Sequence, residues 1–400
     1  MDGRGRRKPP VRRSRRFSIA SVYAAALVMG ATIVTFPSSS TVLRRELELG
    51  DTLYGAYFLP GLGLAITVSL LSPNLLRRWS LQGLFRFGLS AAAAGLLLMA
   101  ASPAAGPLAG RAVLLAAMLL FGMGAGSIGL TANTGAIELF PASRSGALVM
   151  LHGMIGVGAA VWPMVVAACA AGGIWPVAPV FLALLILGVA VSAAGGSIAG
   201  LDGGPAAGYR PTRFPGRLWL RSIAPLLYGI GEGTFTAWVV VFLSEDRGLP
   251  LEEAAGALSS FWLAMTAGRL GSTAVVRWIG ALPLTLVLLA SMAVAFPLVS
   301  TSGGSPGALL KFAFAGASCS ALFPLLLSLA SEELPQRTPQ VSALSSAAVA
   351  AGLAIGSFGV GPLRAMIGLT HVYIFSAAGP VMIVLLVLIL ARRPRKSMAG

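Results

Sequence analysis

A glutamate in the middle of an apolar run is the residue best placed to do chemistry in this sequence. Glu232 stands in Leu227-Tyr-Gly-Ile-Gly-Glu-Gly-Thr-Phe-Thr-Ala-Trp238, between two glycines. An ionisable group surrounded by hydrocarbon costs roughly 3 kcal/mol or more, so a carboxylate kept there must bind a proton, a polar solute or a buried cation. Two readings stand side by side. One makes Glu232 a substrate or proton site on a water-filled path. The other makes it a structural partner for Arg269 or for backbone donors. Carboxylates at such depth generally face water, which favours the first.

Other side chains could serve the same site. Asn133 offers an amide for hydrogen bonding or for helix packing, and His152 offers an imidazole with the same two readings. Trp238 and Trp262 present flat faces that stack on the apolar C–H faces of sugar-like rings. Trp238 is six residues from Glu232, nearly two turns and about 9 Å along a helix axis, on only partly overlapping faces. Glu138, six residues before Arg144, suits an ion pair at a loop or gate better than a proton carrier in mid-membrane.

Hydrolytic and metal chemistry find no such footing. The two histidines, His152 and His371, are far apart, and no His/Cys cluster has metal-ligand spacing. Cys169 and Cys319 fall inside apolar runs and are expected to be core thiols. The glycines Gly124, Gly126 and Gly129 match GxGxxG, but they lie within an apolar run with no strand before it and read as helix-packing residues. No GxxxxGK[ST] string is present to use ATP. No enzyme activity and no cofactor are expected.

The elements that must position these residues follow from composition. Hydrophobic residues make up 56% of 400 and charged residues 10%, with mean hydropathy +0.85. A soluble domain of this size carries about 25% charge. A spanning helix takes about 20 apolar residues. On that rule spans are expected near 17–38, 52–72, 83–102, 112–137, 146–170, 175–199, 217–243, 252–276, 281–300, 307–331, 341–366 and 370–391. The expected fold is an all-α membrane protein of twelve transmembrane helices.

The net charge of +16 is a topology signal and not a nucleic-acid footprint. With loops assigned alternately, 22 Lys and Arg fall on one side, and 6 (Arg44, Arg45, Arg111, Arg247, Lys311 and Arg364) fall on the other. Arg269 lies within a span and is counted on neither side. Basic loops stay in the cytoplasm, so both termini are expected inside, in the cell membrane. Ser14-Arg15-Arg16-Phe17 resembles a twin-arginine export signal. However, the run that follows is long enough to span, and the first residues read better as a basic tail against anionic lipid headgroups.

Six spans precede residue 200 and six follow residue 216, joined by a Gly/Pro-rich polar stretch. The expected organisation is a basic tail over 1–16, a six-helix half over 17–199, a cytoplasmic linker over 200–216, a second half over 217–391 and a tail over 392–400. Similar events follow the second span of each half, Ser72-Pro-Asn-Leu-Leu-Arg-Arg-Trp and Gly268-Arg-Leu-Gly with Arg277-Trp. These suggest pseudo-symmetric halves related by an axis along the membrane normal.

Several strings carry a family resemblance: Asn133-Thr-Gly-Ala-Ile-Glu-Leu-Phe-Pro-Ala-Ser-Arg144, Leu151-His-Gly-Met-Ile-Gly-Val-Gly158, Phe261-Trp-Leu-Ala-Met-Thr-Ala-Gly-Arg269, Leu322-Phe-Pro324 and Ser331-Glu-Glu-Leu-Pro. Together with the glutamate run they resemble the major facilitator superfamily, in particular its fucose-permease-like, sugar-symporter branch. The resemblance implies a secondary transporter working by alternating access, with a central site between halves. It also places the Gly-Arg pair ending in Arg269 at an inner gate, together with Arg77 and Arg78. The usual acid ahead of that basic pair is replaced by Asn74, and the acids of the first and fourth spans of fucose-permease relatives are missing.

The expected function is transport of a small organic solute, coupled to protons through Glu232, by a monomer in contact with lipid and with no nucleic-acid partner. Sugar recognition calls for many amide and carboxylate groups. The chain has only Asn74, Asn133, Gln82, Gln336 and Gln340. Efflux of an amphipathic, drug-like solute is therefore a second reading, and a non-transporting receptor or scaffold a third.

Overall fold

The computed structural model describes residues 15–75, 78–194, 201, 216–333 and 338–391. Arg77, residues 1–14, most of the 200–216 linker and the 392–400 tail lie outside the described residues. No water competes for backbone groups in lipid, so long apolar runs satisfy them internally as helix. Over its described residues, every expected span is helical apart from short interruptions. These are turns at Tyr57, Trp175–Pro176, Ser320–Ala321 and Ala377, a 3-10 turn beginning at Ser102 and a π turn over Phe242–Asp246.

Among the described residues there are fifteen α-helices. The first eight are α1 (Arg15–Ser38), α2 (Ser40–Glu46), α3 (Asp51–Ala56), α4 (Phe58–Leu75), α5 (Leu81–Ala101), α6 (Gly106–Leu139), α7 (Arg144–Ala171) and α8 (Val177–Ala194). The remaining seven are α9 (Gly216–Val241), α10 (Leu251–Ile279), α11 (Ala281–Ser300), α12 (Ser305–Cys319), α13 (Leu322–Glu333), α14 (Thr338–Ser376) and α15 (Ala378–Ala391). Within them, 7 stretches are long and apolar enough to cross a membrane. Three of these, Leu81–Leu139, Pro306–Glu333 and Leu344–Leu390, each run through two helices. A left-handed glycine, Gly368 at φ 73°, kinks α14, and Gly280 at φ 85° makes the turn from α10 to α11.

The helices form two compact units, Met1–Phe36 with Gly63–Pro211, and Pro37–Leu62 with Thr212–Gly400. In the first unit, α1 and α7 meet backbone to backbone. A methyl group at Gly30 would lie 1.9 Å from the Ile155 carbonyl oxygen, and one at Gly158 would lie 2.0 Å from that of Leu27. Two of the GxGxxG glycines serve the same purpose: Gly124 abuts Ala92 of α5, and Gly126 abuts Ala65 of α4. Basic side chains close two helix ends, where carbonyls lack partners. Arg15 Nη2 donates to Leu139 O at 2.7 Å, and Arg86 Nε donates to Ala193 O at 3.0 Å.

The second unit repeats this pattern. Its long helix α9 lies against α14, where methyl groups at Gly229, Gly352 and Gly356 would come within 2.3, 2.1 and 2.2 Å of opposing carbonyl oxygens. Small residues allow this approach in lipid, where packing contacts replace the hydrophobic effect between helices. The core is aromatic: Phe235 stacks on Phe296 at 4.1 Å between centroids and packs near Phe261 and Tyr373.

Candidate functional site

Proline chemistry sets the geometry around Glu232. Pro324 has no N–H and cannot donate to the Ser320 carbonyl four residues earlier. The helix breaks there: α12 ends at Cys319, Ser320 and Ala321 form a turn, and α13 begins at Leu322. Two neighbouring helices supply donors to the break. Arg269 Nε of α10 donates to Ser320 O at 2.9 Å, and the Tyr228 hydroxyl of α9 donates to Cys319 O at 3.2 Å.

Glu232 follows Tyr228 by one turn on α9. It is partly buried, and the Tyr228 hydroxyl and the Arg269 guanidinium are its polar neighbours. The glycines beside it decide which way α9 is enclosed. Gly233 abuts the Leu353 backbone of α14, and Gly231 abuts Met292 of α11. Glu232 thus belongs to the second unit, one turn from the Tyr228 phenol and under the electrostatic influence of the Arg269 cation. That arrangement can hold a proton or a hydrogen-bonding solute.

Trp262 stands two turns before Arg269 on α10, about 10 Å along the axis. Its Nε1 is buried and has no hydrogen-bond partner among the described residues. Trp238 is different. It is fully buried, its Nε1 donates to the Ser357 carbonyl at 2.8 Å, and its ring meets Tyr54 edge-on at 5.0 Å. Ser357 adjoins Phe358, whose carbonyl Pro362 cannot serve because it lacks an N–H. The indole thus supplies a donor where the α14 ladder is weakened.

The first unit holds the other candidates. Asn133 Nδ2 donates to Gly129 O of its own helix at 2.6 Å. His152 is partly buried on α7. Glu138, Arg144 and Arg78 are exposed. Arg77 lies outside the described residues.

Sequence reasoning misses one cluster, because it treats the members as separate loop charges. Arg44 contacts Asp51 at 2.7 Å and Glu245 at 3.0 Å. Arg364 contacts Asp51 at 2.5 Å, Glu245 at 3.0 Å and Asp246 at 2.5 Å. This clasp joins α2 and α3 to the end of α9 and to α14. The Arg44 and Arg364 side chains are only 12% and 13% exposed. The available signal is the shared outer assignment of these charges; the pairings to Arg364 span 118 to 313 residues.

Residues 95–357 match the model of the Major Facilitator Superfamily. The chain belongs to that family, whose members are membrane transporters and not enzymes. It is 26% identical over 219 residues to an uncharacterised MFS-type transporter of Yersinia pestis, a match covering 54% of this chain and 56% of that relative. The matched stretch thus spans little more than half of that relative's length. The fold is similar to that of a mutant of the nucleoside transporter NupG, with TM-score 0.77 and 12% identity, covering 94% of this chain and 100% of the other. A POT family transporter in complex with a thioalcohol-conjugated peptide is similar at TM-score 0.73 and 12% identity, covering 94% and 95%.

Proposed function

We propose that this protein is a secondary transporter that moves a small organic solute by alternating access, coupled to protons through Glu232. The observation that carries the reading is the carboxylate's place within the apolar helix α9, one turn after Tyr228 and in the electrostatic field of Arg269. Twelve crossings, both termini in the cytoplasm of the cell membrane and a monomeric state belong to the same reading. So do Asn133, His152, Trp262 and Trp238 as solute contacts, and Glu138, Arg144, Arg269, Arg77 and Arg78 as gate residues. The fold neighbours, named for a nucleoside and for a peptide conjugate, support an organic solute.

The fucose-permease-like resemblance points to a sugar. The amides favour the second reading, an amphipathic efflux substrate: Asn133 donates to Gly129 O at 2.6 Å and Gln82 to Ala193 O at 3.0 Å, so each already spends an amide N–H on backbone. Thermal stabilisation of the purified protein by sugars, nucleosides, organic acids and cationic dyes separates the two. The best binder is then followed into proteoliposomes under an imposed pH gradient. Wild type is expected to accumulate it, and Glu232→Gln to exchange it without accumulation. Accumulation by Glu232→Gln at the wild-type level overturns proton coupling at this residue.

A further inference from the structure

We propose that the break between α12 and α13 is a binding site for a carboxylate group, so that the solute carried is an organic acid. The proposal rests on the reading of the chain as a solute transporter, and it names the class of solute. Residues Pro306–Glu333 form one stretch of spanning length, and the break at Ser320–Ala321 falls at its middle. A helix cannot start at that depth against hydrocarbon, because nothing there accepts its first N–H groups. Leu322 and Phe323 open α13, so their N–H groups have no acceptor within the helix. The partial positive charge of this 12-residue helix is concentrated at the same end.

Two side chains add donors at the break. Ser320 is only 1% exposed, and its Oγ has no hydrogen-bond partner among the described residues. It faces α10 at Gly268, where a methyl group would lie 2.7 Å from Oγ. Arg269, next to that glycine, donates Nε–H to the Ser320 carbonyl at 2.9 Å. A guanidinium has five N–H hydrogens, so four remain on Nη1 and Nη2. These form no hydrogen bond and no ion pair with a described residue, and Arg269 is only partly buried. A cation within a spanning segment that is anchored to a carbonyl and not to an acid lacks a close counter-ion. Guanidinium fork, free hydroxyl and helix N-terminus together make an anion site built of donors. A carboxylate suits it, because the fork donates to both oxygens and its single positive charge balances the one negative charge. A phosphate monoester carries about −1.5 to −2 near pH 7. It would set excess negative charge against Glu232, the acidic group in electrostatic range of Arg269.

The test uses the full chain purified in detergent at about pH 7, where free carboxylic acids are ionised. Benzoate, octanoate and succinate are the probes, each set against its neutral amide. At least one acid is expected to raise the melting temperature while its amide leaves it unchanged. For that acid, Ser320→Ala should raise Kd about tenfold or more, the loss of one hydrogen bond to a charged group. The same substitution should leave the unliganded melting temperature unchanged or higher, since it removes a buried hydroxyl that has no partner. A purely structural serine would show the reverse pattern. Arg269→Gln should abolish acid binding, and if it fails to fold, Ser320→Ala decides. Acids that stabilise no better than their amides overturn the proposal, as does wild-type affinity in Ser320→Ala or in a folded Arg269→Gln. Proteoliposomes judge the transport reading separately. Acid binding without accumulation under a pH gradient keeps the site and sinks the coupling, whereas accumulation of a neutral solute with no acid bound sinks the site alone.

Discussion

Arg364 Nη1 lies 2.5 Å from Asp51 Oδ1, although 313 residues separate the two in sequence. The contact ties α14 to α3, and Arg364 also reaches Glu245 and Asp246 at the end of α9. Three carboxylates depend on two guanidinium groups, so removing one cation leaves an excess of negative charge in a mostly buried place.

Arg364→Ala is expected to destabilise the protein by about 1–3 kcal/mol, between the values for exposed and buried ion pairs. Thermal unfolding of detergent-purified protein checks this. The difference between variant and wild type should narrow as salt rises, because screening weakens the clasp that only wild type retains. Equal melting temperatures would remove the clasp from the stabilising contacts.

Gly352→Leu should prevent close packing of α9 and α14. Even a methyl group there would lie 2.1 Å from the Leu226 carbonyl oxygen, and overpacking costs at least about 1–3 kcal/mol. Gly359→Ala, in open space on the same helix, should be tolerated. Monodispersity on size exclusion distinguishes the two, and a well-behaved Gly352→Leu protein would contradict the packing.

Trp238→Phe removes the N–H that serves the Ser357 carbonyl but keeps an aromatic ring. A loss of about 0.5–1.5 kcal/mol in stability is expected, the net worth of one buried hydrogen bond. Solute affinity should hold if the indole is a cap. A weaker Kd with unchanged melting would instead make it a solute platform.

A cysteine placed in the 200–216 segment should resist a membrane-impermeant reagent on intact cells and react after permeabilisation. The expectation comes from the basic asymmetry of 22 against 6. Ready labelling on intact cells would place that segment outside.

Much of the fold was legible because apolar runs of spanning length leave the backbone few alternatives to helix. Glu232 was legible as well, since an acid between glycines in such a run stands out. Its surroundings were only partly so. Arg269 was visible as one possible partner. Its hydrogen bond to Ser320, 51 residues away, depends on how α10 and α12 pack. Pro324 marked a break in principle, but nothing in its neighbourhood named Tyr228 as a donor. Trp238 shows the limit most clearly: a tryptophan that stacks on solute and one that caps a carbonyl have the same sequence signature. The clasp stayed hidden because pairing between loop charges is set by tertiary contact alone.

The glycine contacts between α9 and α14 have a mechanical consequence. Helices whose backbones touch can neither rotate nor slide independently without clashing, so this pair moves as one stiff rod. Gly361 extends the rod to α3, where a methyl group would lie 2.6 Å from the Asp51 carbonyl oxygen. Glu245 follows Glu232 by 13 residues, just past the end of α9 and within the π turn over Phe242–Asp246. A tilt of α9 at the carboxylate would therefore carry α14 and the clasp residue Arg364 with it, and a tug on the clasp would be felt at Glu232.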